Sequence, residues 1–278
     1  MAIYALISPG GSPGCTTATL ALALAWPRQV IVAECDPGGG DILAGLFAGH
    51  LQAPRGLLGV AFEASRGPAA VAAELATQLV PLDESGQRRL LAGISDPRQA
   101  LGLSPVWPAI SAGFASQPAD VLADCGRFDA GVSQPLSLLA DAAAIIMVMR
   151  PTLRQVAGAR PRIDLAAQIA GGRDRIGLLL VGDSGIPQAD LTRTLDVPVL
   201  GTLPEDAKTA RVLSDGEGQR THLDRRPLMR AARVAGQAVA RRRAPLPERA
   251  AGQAASQVAS QVASRSGSLA ADLSGGAK

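Results

Sequence analysis

The chain has 278 residues, of which 47% are hydrophobic and only 3% are aromatic, so one large domain with a core of Ala, Leu, Val and Ile is expected. Its formal net charge is +3, and lysine occurs only at Lys208 and Lys278. The three cysteines form no C-x-x-C pair and no run of 18 apolar residues is free of proline, glycine and charge, which excludes a disulfide framework, a cysteine zinc site and a transmembrane helix and favours a reducing cytoplasm.

Short apolar runs recur along the chain at intervals that leave room for helices. The first run, residues 3–7, predicts a buried strand rather than a signal peptide, because no basic segment precedes it. Similar runs lie at 30–34, 121–124, 144–149, 176–181 and 199–203, and helical patterns lie at 16–25, 152–170 and 187–195. The alternation predicts an α/β fold with a doubly wound, mostly parallel sheet and helices on both faces.

Residues 56–116 have a weaker pattern. Helical spacing occurs at 69–79 and 85–91, and breaks are marked by Pro97, Pro105 and Pro108. The pattern predicts helices and loops on one side of the sheet.

The C-terminal part divides into a helix and a tail. Pro227 predicts the start of a helix whose inward positions are Leu228, Ala231, Ala232, Ala235 and Val239. Beyond it the composition turns to Ala, Ser, Gln and Gly, which predicts disorder. We therefore expect one domain at residues 1–243 and a disordered tail at 244–278.

The strongest local signal, Ser-Pro-Gly-Gly-Ser-Pro-Gly-Cys-Thr-Thr at 8–17, follows the first strand. Glycines let the backbone pass close to a ligand, and a loop that leads into a helix N-terminus cradles phosphate with main-chain N–H groups. Measured against G-x-x-x-x-G-K-[ST], the first glycine is replaced by Pro9 and the lysine by Cys15. The predicted nucleotide-binding residues are Gly10, Gly11, Ser12, Pro13, Gly14, Cys15, Thr16 and Thr17.

Acidic residues end two of the predicted strands: Glu34 and Asp36 at the second strand, and Asp124 at the strand 121–124. Ligands of open α/β sheets bind at this edge. Asp124 has the position of an acid that orients Mg²⁺ or its water, and Thr16 has that of a hydroxyl ligand. The predicted metal site therefore consists of Thr16, Asp124 and Asp36.

The order of these motifs resembles the MinD/ParA ATPases, SIMIBI-class P-loop proteins with a deviant Walker A motif. The features that carry the resemblance are the glycine-rich loop with Thr16-Thr17, Asp36-Pro37-x-Gly39, the strand that ends in Asp124, and the segment from Gly201 to Asp206 with Pro204. The resemblance covers about residues 1–240 in element order. It implies binding of ATP or ADP with Mg²⁺, with Asp36 positioning the attacking water and Pro204 lying against the adenine ring, and it implies a homodimer.

Two departures from the family pattern bear on activity. The Walker lysine is replaced by Cys15, and the lysine that reaches a partner subunit's phosphates falls at Gly10. A missing cationic contact costs roughly 10²-fold or more in rate, and a trans-acting cation is worth about 10³ to 10⁵, so slow or absent hydrolysis is expected. Arg127 is the best placed compensating cation and Arg150 and Arg154 are alternatives, although a surface arginine or an ion-pair partner is the preferred interpretation of each.

Cys15 and Asp183 each have two interpretations. A helix N-terminus favours a thiolate at Cys15, but no His or second Cys is paired with it in sequence, so packing of a small residue is preferred. The family's base-reading asparagine is absent after the strand 176–181, where Asp183 either reads guanine or caps a loop.

Two functions remain open on these motifs. The first is a nucleotide-binding switch that positions or regulates a partner complex of the partition, division or pilus and secretion type. The second is a pseudo-ATPase scaffold that no longer binds nucleotide. The arginine-rich segment from Arg225 to Arg243 adds a weaker suggestion of contact with DNA or a membrane, against the alternative of a solvated helix end.

Overall fold

The structure is a computed structural model that describes residues 1–10, 13–49, 55–129, 131–183, 185–217 and 222–242. Gly11 and Ser12 of the predicted phosphate loop, Arg243, and the predicted disordered tail at 244–278 lie outside the described residues.

An eight-stranded sheet in the order β3-β4-β2-β5-β1-β6-β7-β8 forms the centre of the molecule. The strands are β1 Ile3–Ser8, β2 Val30–Glu34, β3 Val80–Pro81, β4 Arg88–Leu91, β5 Asp120–Arg127, β6 Ala144–Met149, β7 Ile176–Val181 and β8 Val199–Leu203. Only the pair of β3 with β4 is antiparallel among the described strands. The predicted doubly wound, mostly parallel sheet is confirmed.

Helices cover both faces of this sheet. They are α1 Cys15–Leu24, α2 Ile42–Gly45, α3 Leu57–Glu63, α4 Pro68–Gln78, α5 Ala100–Leu103, α6 Trp107–Ala115, α7 Leu136–Asp141, α8 Leu153–Ala170, α9 Gln188–Leu195, α10 Ala207–Ser214 and α11 Pro227–Arg241. Helices α3 to α9 pack on one face, and α1, α2, α10 and α11 pack on the other.

The central strand β1 shows why the strand runs are continuously apolar. Ile3, Ala5 and Ile7 point into one core layer, whereas Tyr4 and Leu6 point into the other. All six residues of β1 are buried. A strand with a helix layer on each face has no solvated side, so the period of two disappears from its hydrophobic pattern.

One secondary-structure prediction is wrong. Residues 85–91 were predicted as helical, but β4 occupies their second half and pairs in parallel with β2. Leu90 and Leu91 are fully buried beside that strand. Their burial in the sheet outweighs the helical spacing, which short apolar runs satisfy by chance.

The predicted proline breaks coincide with helix starts. Pro97 begins a short 3-10 turn, Pro105 is the second residue of another, and Pro108 is the second residue of α6. A first-turn proline loses no helical hydrogen bond, so these residues separate one short helix from the next.

The C-terminal helix begins at Pro227, as predicted. It packs against β8 and α1, with Leu228, Ala232, Ala235 and Val239 buried. Its outer face exposes Arg230, Arg233 and Arg241. Over the described residues, no helix is both long and apolar enough to cross a membrane.

Candidate functional site

The first loop forms an open helix N-terminus at the carboxyl edge of the sheet. Gly10 and Gly14 have φ angles of 133° and 87°, values that favour glycine. Gly14 is the N-cap of α1, and it has no side chain that could cap the first N–H groups of the helix. Those groups therefore stay available to an anion, and the helix dipole adds to the attraction.

A polar cavity of about 400 Å³ lies in front of this helix end. It brings together residues that the sequence predicted separately, namely Pro13, Gly14, Cys15, Thr16, Thr17, Asp36 and Arg127. Ser8, Asp41 and Gly126 also line it, although the motifs did not single them out as site residues. Each of them lies next to the carboxyl end of β1, β2 or β5. Ligand sites of open α/β sheets form at these strand ends, so strand position could have identified the three residues.

Asp124 is buried beneath the helix end, with 2% of its surface exposed. Its carboxylate accepts hydrogen bonds from the Thr16 hydroxyl and the Cys15 thiol, and Oδ1 accepts one from the Gly126 N–H at 3.1 Å. Burial raises the pKa of Asp124, and the bonds from Thr16, Gly126 and Cys15 oppose that increase. The Thr16 hydroxyl and the Asp124 carboxylate are thus in contact at the start of α1.

Asp36 lies against the end of β5. Its Oδ1 accepts a hydrogen bond from the Gly38 N–H at 2.7 Å. A Cβ atom built on Gly126, where φ is 62°, would lie 1.8 Å from Asp36 Oδ2, so only glycine fits there. Burial raises the pKa of Asp36, the Gly38 N–H opposes the change, and the charges of Asp41 and Asp129 add to it.

Glu34 has a different role from the neighbouring acids. Its carboxylate accepts main-chain N–H bonds from Asp41 at 2.8 Å, Ile42 at 2.9 Å and Gly93 at 3.0 Å. Burial still raises its pKa, against the effect of these bonds. Glu34 holds the loop that carries Asp36 and Asp41, and its oxygens are already occupied.

Cys15 is a packed and protonated thiol. Burial raises its pKa well above the ordinary value, and the nearby Asp124 carboxylate raises it further. These effects outweigh the stabilisation of a thiolate by the helix N-terminus. The structure therefore supports the packing interpretation of Cys15.

Arg127 enters the polar cavity from the end of β5. Its Nε lies 3.8 Å from the position that a Cβ of Gly10 would occupy. The Arg127 carbonyl accepts a 2.8 Å hydrogen bond from Gln134 Nε2, which fixes the backbone at this point. Across the described part of the chain Arg127 forms no ion pair within 4.0 Å. Its charge is free to meet an anion beside Gly10.

The other two arginines differ from Arg127. Arg150 forms an ion pair with Glu205 and lines a second cavity. Arg154 is exposed on α8 and does not line either of the two cavities as the described residues define them.

The second cavity, of about 390 Å³, adjoins the polar one and shares Pro13, Gly14 and Thr17 with it. Its apolar walls are Val181, Leu203, Pro204 and Leu228. Pro204 therefore lines the same cavity as Gly14 and Thr17. Asp183 does not line this cavity in the described structure, and its Oδ1 accepts the Gly185 N–H at 3.3 Å, as expected of a loop cap.

The predicted metal ligands are suited to an ion that arrives with phosphate. Within the described ranges no group of three or more His, Cys, Asp or Glu side chains is arranged to hold a metal. Thr16 and Asp36 line the polar cavity, and Asp124 lies buried behind Thr16. Mg²⁺ takes few protein ligands and completes its shell with water and phosphate oxygens, so this incomplete set fits it.

No protein-family model matches the sequence, and no curated protein matches it either. Solved structures do match. A ParA family ATPase from Chlorobium tepidum is 14% identical with a TM-score of 0.67, and the alignment covers 85% of this chain and 98% of that one. In the MinC:MinD complex of Aquifex aeolicus, the matching chain is 17% identical with a TM-score of 0.68 and coverages of 89% and 99%.

A third match is the MinD protein of Pyrococcus horikoshii complexed with Mg-ADP, which is 19% identical with a TM-score of 0.61 and coverages of 86% and 95%. At these identities the likeness concerns the fold alone. The chain has the fold of the MinD/ParA P-loop proteins.

Proposed function

We propose that the chain is a nucleotide-binding switch that takes ATP or ADP with Mg²⁺, hydrolyses ATP slowly or not at all, and positions or regulates a partner complex. The observation that carries this proposal is the pair of adjoining cavities, one polar and one partly apolar, that share Pro13, Gly14 and Thr17. A nucleotide has the same division into a charged chain and an apolar ring. Each cavity is of the size of a small-molecule site.

The polar cavity supplies the phosphate contacts. The free N–H groups of α1 and the Arg127 guanidinium would face the phosphates, and both are stronger partners for an anion than for a neutral group. Bound Mg²⁺ would neutralise phosphate charge, with Thr16 as its hydroxyl ligand and Asp124 and Asp36 contacting it through water. The MinD structure complexed with Mg-ADP supports this cofactor on the same fold.

Slow hydrolysis follows from where the positive charge is placed. Asp36 takes the role of the acid that positions water, and Arg127 is the compensating cation. The guanidinium comes from a strand end, whereas an ammonium inside the loop would follow the phosphates closely. Arg127 therefore supports binding better than it supports stabilisation of the charge that develops in the transition state.

The proposed partner is a protein complex. The MinC:MinD complex supports a protein partner for this fold, and we propose a homodimer as the form that engages it. The process is of the partition, division or pilus and secretion type. Contact with DNA or a membrane through Arg225, Arg230 and Arg233 is a weaker proposal, based only on their exposure.

Arg127→Ala tests the proposed function. We expect calorimetry to show binding of Mg·ATP and Mg·ADP to the wild-type protein and about 10- to 100-fold weaker binding to the variant, because a hydrogen bond to a charged group contributes roughly 1.5–3 kcal/mol. Arg154→Ala is the matched control, since it removes an exposed arginine outside both cavities. Equal affinities in the two variants would show that Arg127 does not contact phosphate.

A pseudo-ATPase scaffold is the second candidate. It is favoured by the raised pKa values of the buried Glu34 and Asp124 and the half-buried Asp36, because burial of these carboxylates disfavours their charge where no cation is bound. Under this alternative, millimolar Mg·ATP would leave the melting temperature unchanged. Under the first, a ligand of the native state adds RT ln(1 + [L]/Kd) to the free energy of unfolding and raises the melting temperature.

A further inference from the structure

The end of β5 is irregular at the point where it delivers Arg127 to the polar cavity. Leu6 of β1 lies opposite Asp124, whereas Ser8 lies opposite Arg127, so β5 has one residue more than β1 over this stretch. Gly126, immediately before Arg127, has a φ angle of 62°, which favours glycine. Bulges of this kind re-aim the side chains of the strand. The direction of the Arg127 side chain therefore depends on how the bulged end of β5 is held.

Two side chains hold the carbonyl groups that follow the bulge. Gln134 Nε2 donates to the Arg127 carbonyl at 2.8 Å, and Arg162 Nε donates to the Phe128 carbonyl at 2.6 Å. The Phe128 N–H in turn donates to the Ser8 carbonyl at 2.9 Å. The backbone that carries Arg127 is thus fixed by α8 and by the segment before α7 as well as by strand β1.

Packing alone does not account for a glutamine at position 134. The Gln134 side chain is 6% exposed, and among the described residues its Oε1 has no hydrogen-bond partner. A buried amide oxygen without a partner destabilises the folded protein. An apolar side chain of similar size would avoid this loss. The bond from Gln134 Nε2 to the Arg127 carbonyl is therefore the feature that explains the residue.

Arg162 connects the same strand end to the phosphate loop. Its Nη1 donates to the Gly158 carbonyl, one turn earlier in α8, at 3.0 Å. A Cβ on Gly158 would lie 3.8 Å from Arg162 Nη1 and 3.8 Å from the Pro9 carbonyl oxygen. Helix α8 thus lies beside the loop at Gly158 and holds the end of β5 through Arg162. These are the two segments between which the Arg127 guanidinium meets Gly10.

We propose that Gln134 and Arg162 are positioning residues, which hold the bulged end of β5 so that the Arg127 guanidinium points at a bound phosphate. This inference rests on the proposed function. The Arg127 side chain is itself exposed, and a long exposed side chain loses conformational freedom when it binds a ligand. A fixed backbone at Arg127 reduces that loss, so it strengthens phosphate binding without contacting the ligand.

A double-mutant cycle provides the test. Calorimetry measures Mg·ATP binding to wild type, Gln134→Leu, Arg162→Met, Arg127→Ala, and the two double variants that combine Arg127→Ala with each of the others. We expect Gln134→Leu and Arg162→Met each to weaken binding about 5-fold. In the Arg127→Ala background we expect neither change to alter the affinity further, because a residue that acts only through Arg127 then has nothing to position.

Further variants separate positioning from a loss of structure. Arg162→Lys keeps one donor for the Phe128 carbonyl and is expected to bind Mg·ATP more tightly than Arg162→Met. Arg160→Met removes an exposed arginine from the same helix and is expected to bind like wild type. Urea denaturation of Gln134→Leu is expected to give a midpoint near that of wild type, because removal of the unpaired Oε1 offsets the lost bond.

The outcomes separate this inference from the proposed function. Equal weakening by Gln134→Leu and Arg162→Met with and without the Arg127 side chain assigns them a structural role and overturns positioning. Wild-type affinity in both single variants also overturns it, while weaker binding by Arg127→Ala still supports the proposed function. Absence of Mg·ATP binding to wild type removes the proposed function, and positioning with it.

Discussion

The polar and apolar halves of the candidate site are built from different parts of the chain. The polar half depends on main-chain N–H groups at the start of α1, above the buried Asp124. The apolar half depends on side chains from β7, β8, α10 and α11. The start of α1 has an open N-terminus although no lysine precedes Lys208 in the chain. The polar half therefore relies on backbone groups, and no ammonium group is among its described lining residues.

The two halves share Pro13, Gly14 and Thr17, and helix α2 connects them at a second place. Asp41 lines the polar cavity and precedes α2, whereas Ser214 lines the apolar cavity at the end of α10. A Cβ on Gly45, the last residue of α2, would lie 1.9 Å from the Ser214 carbonyl oxygen. Helices α2 and α10 thus approach as closely as glycine allows.

Gly45→Ala has the largest expected effect. The added methyl group meets backbone rather than a movable side chain, so α2 and α10 must separate. Overpacking of this kind costs about 1–3 kcal/mol, and we expect a loss of that size in the free energy of unfolding measured by urea denaturation. Separation of α2 from α10 also moves Asp41 relative to the apolar cavity, so weaker Mg·ATP binding is expected together with the lower stability.

Gly102→Ala is the matched control for that change. Gly102 is also helical, and a Cβ there meets nothing within 4 Å. Alanine exceeds glycine in helix propensity by up to about 1 kcal/mol, so this variant is expected to be neutral or slightly more stable. If Gly45→Ala behaves in the same way, the two halves are not rigidly joined through α2.

Cys15→Lys sharpens the comparison from the polar side. The thiol of Cys15 contacts Asp124 at the start of α1, so an ammonium placed there lies between a buried carboxylate and the cavity. We expect Mg·tripolyphosphate to bind about 10-fold more tightly, which corresponds to roughly 1.4 kcal/mol. Calorimetry at two salt concentrations measures the gain, and Cys15→Ser controls for loss of the thiol. Equal affinity in the lysine and serine variants would mean that the cradle does not accept phosphate.

The sequence predicts those strands and helices whose hydrophobic pattern is complete within the element itself. The runs at 30–34, 144–149 and 176–181 match β2, β6 and β7, because strands covered on both faces are mostly apolar, and the run at 199–203 matches the partly buried edge strand β8. Strand β4 was missed, since Arg88 and Arg89 precede only two buried leucines. Its strand character depends on pairing with β2, which lies more than 50 residues earlier in the chain.

The sequence predicts those site residues that lie at or next to the carboxyl ends of strands. Asp36, Thr16 and Arg127 converge in one cavity because parallel strands bring their carboxyl ends to the same edge. The hydrogen bonds of Glu34 and the Arg150–Glu205 ion pair were not predictable. Glu34 accepts N–H groups from the segment just after β2 and from Gly93, which lies 59 residues away, and the ion pair joins residues 55 positions apart.

Asp36→Asn has the smallest expected effect. It measures how much the charge of Asp36 destabilises the folded protein, for comparison with a carboxylate in an ordinary ion pair. The asparagine oxygen can still accept the Gly38 N–H, while the repulsion from Asp41 and Asp129 disappears. Because the pKa of Asp36 is raised in the folded state, wild type loses stability as pH rises from the unfolded value through the folded one. Without ligand, the variant is therefore expected to be more stable at pH 7, by about 0.5 kcal/mol after solvent screening, and equal to wild type at acid pH.

Asp83→Asn should show the opposite sign under the same urea titrations. Its side-chain bond with Arg88 helps to lower the pKa of Asp83, so the stability it contributes is present at neutral pH and lost as pH falls through the folded value. The variant is then less stable than wild type at pH 7, and the difference closes in acid. If Asp36→Asn follows this second pattern instead, the charge of Asp36 is compensated within the folded protein. The polar half would then not destabilise the fold in the absence of a bound cation.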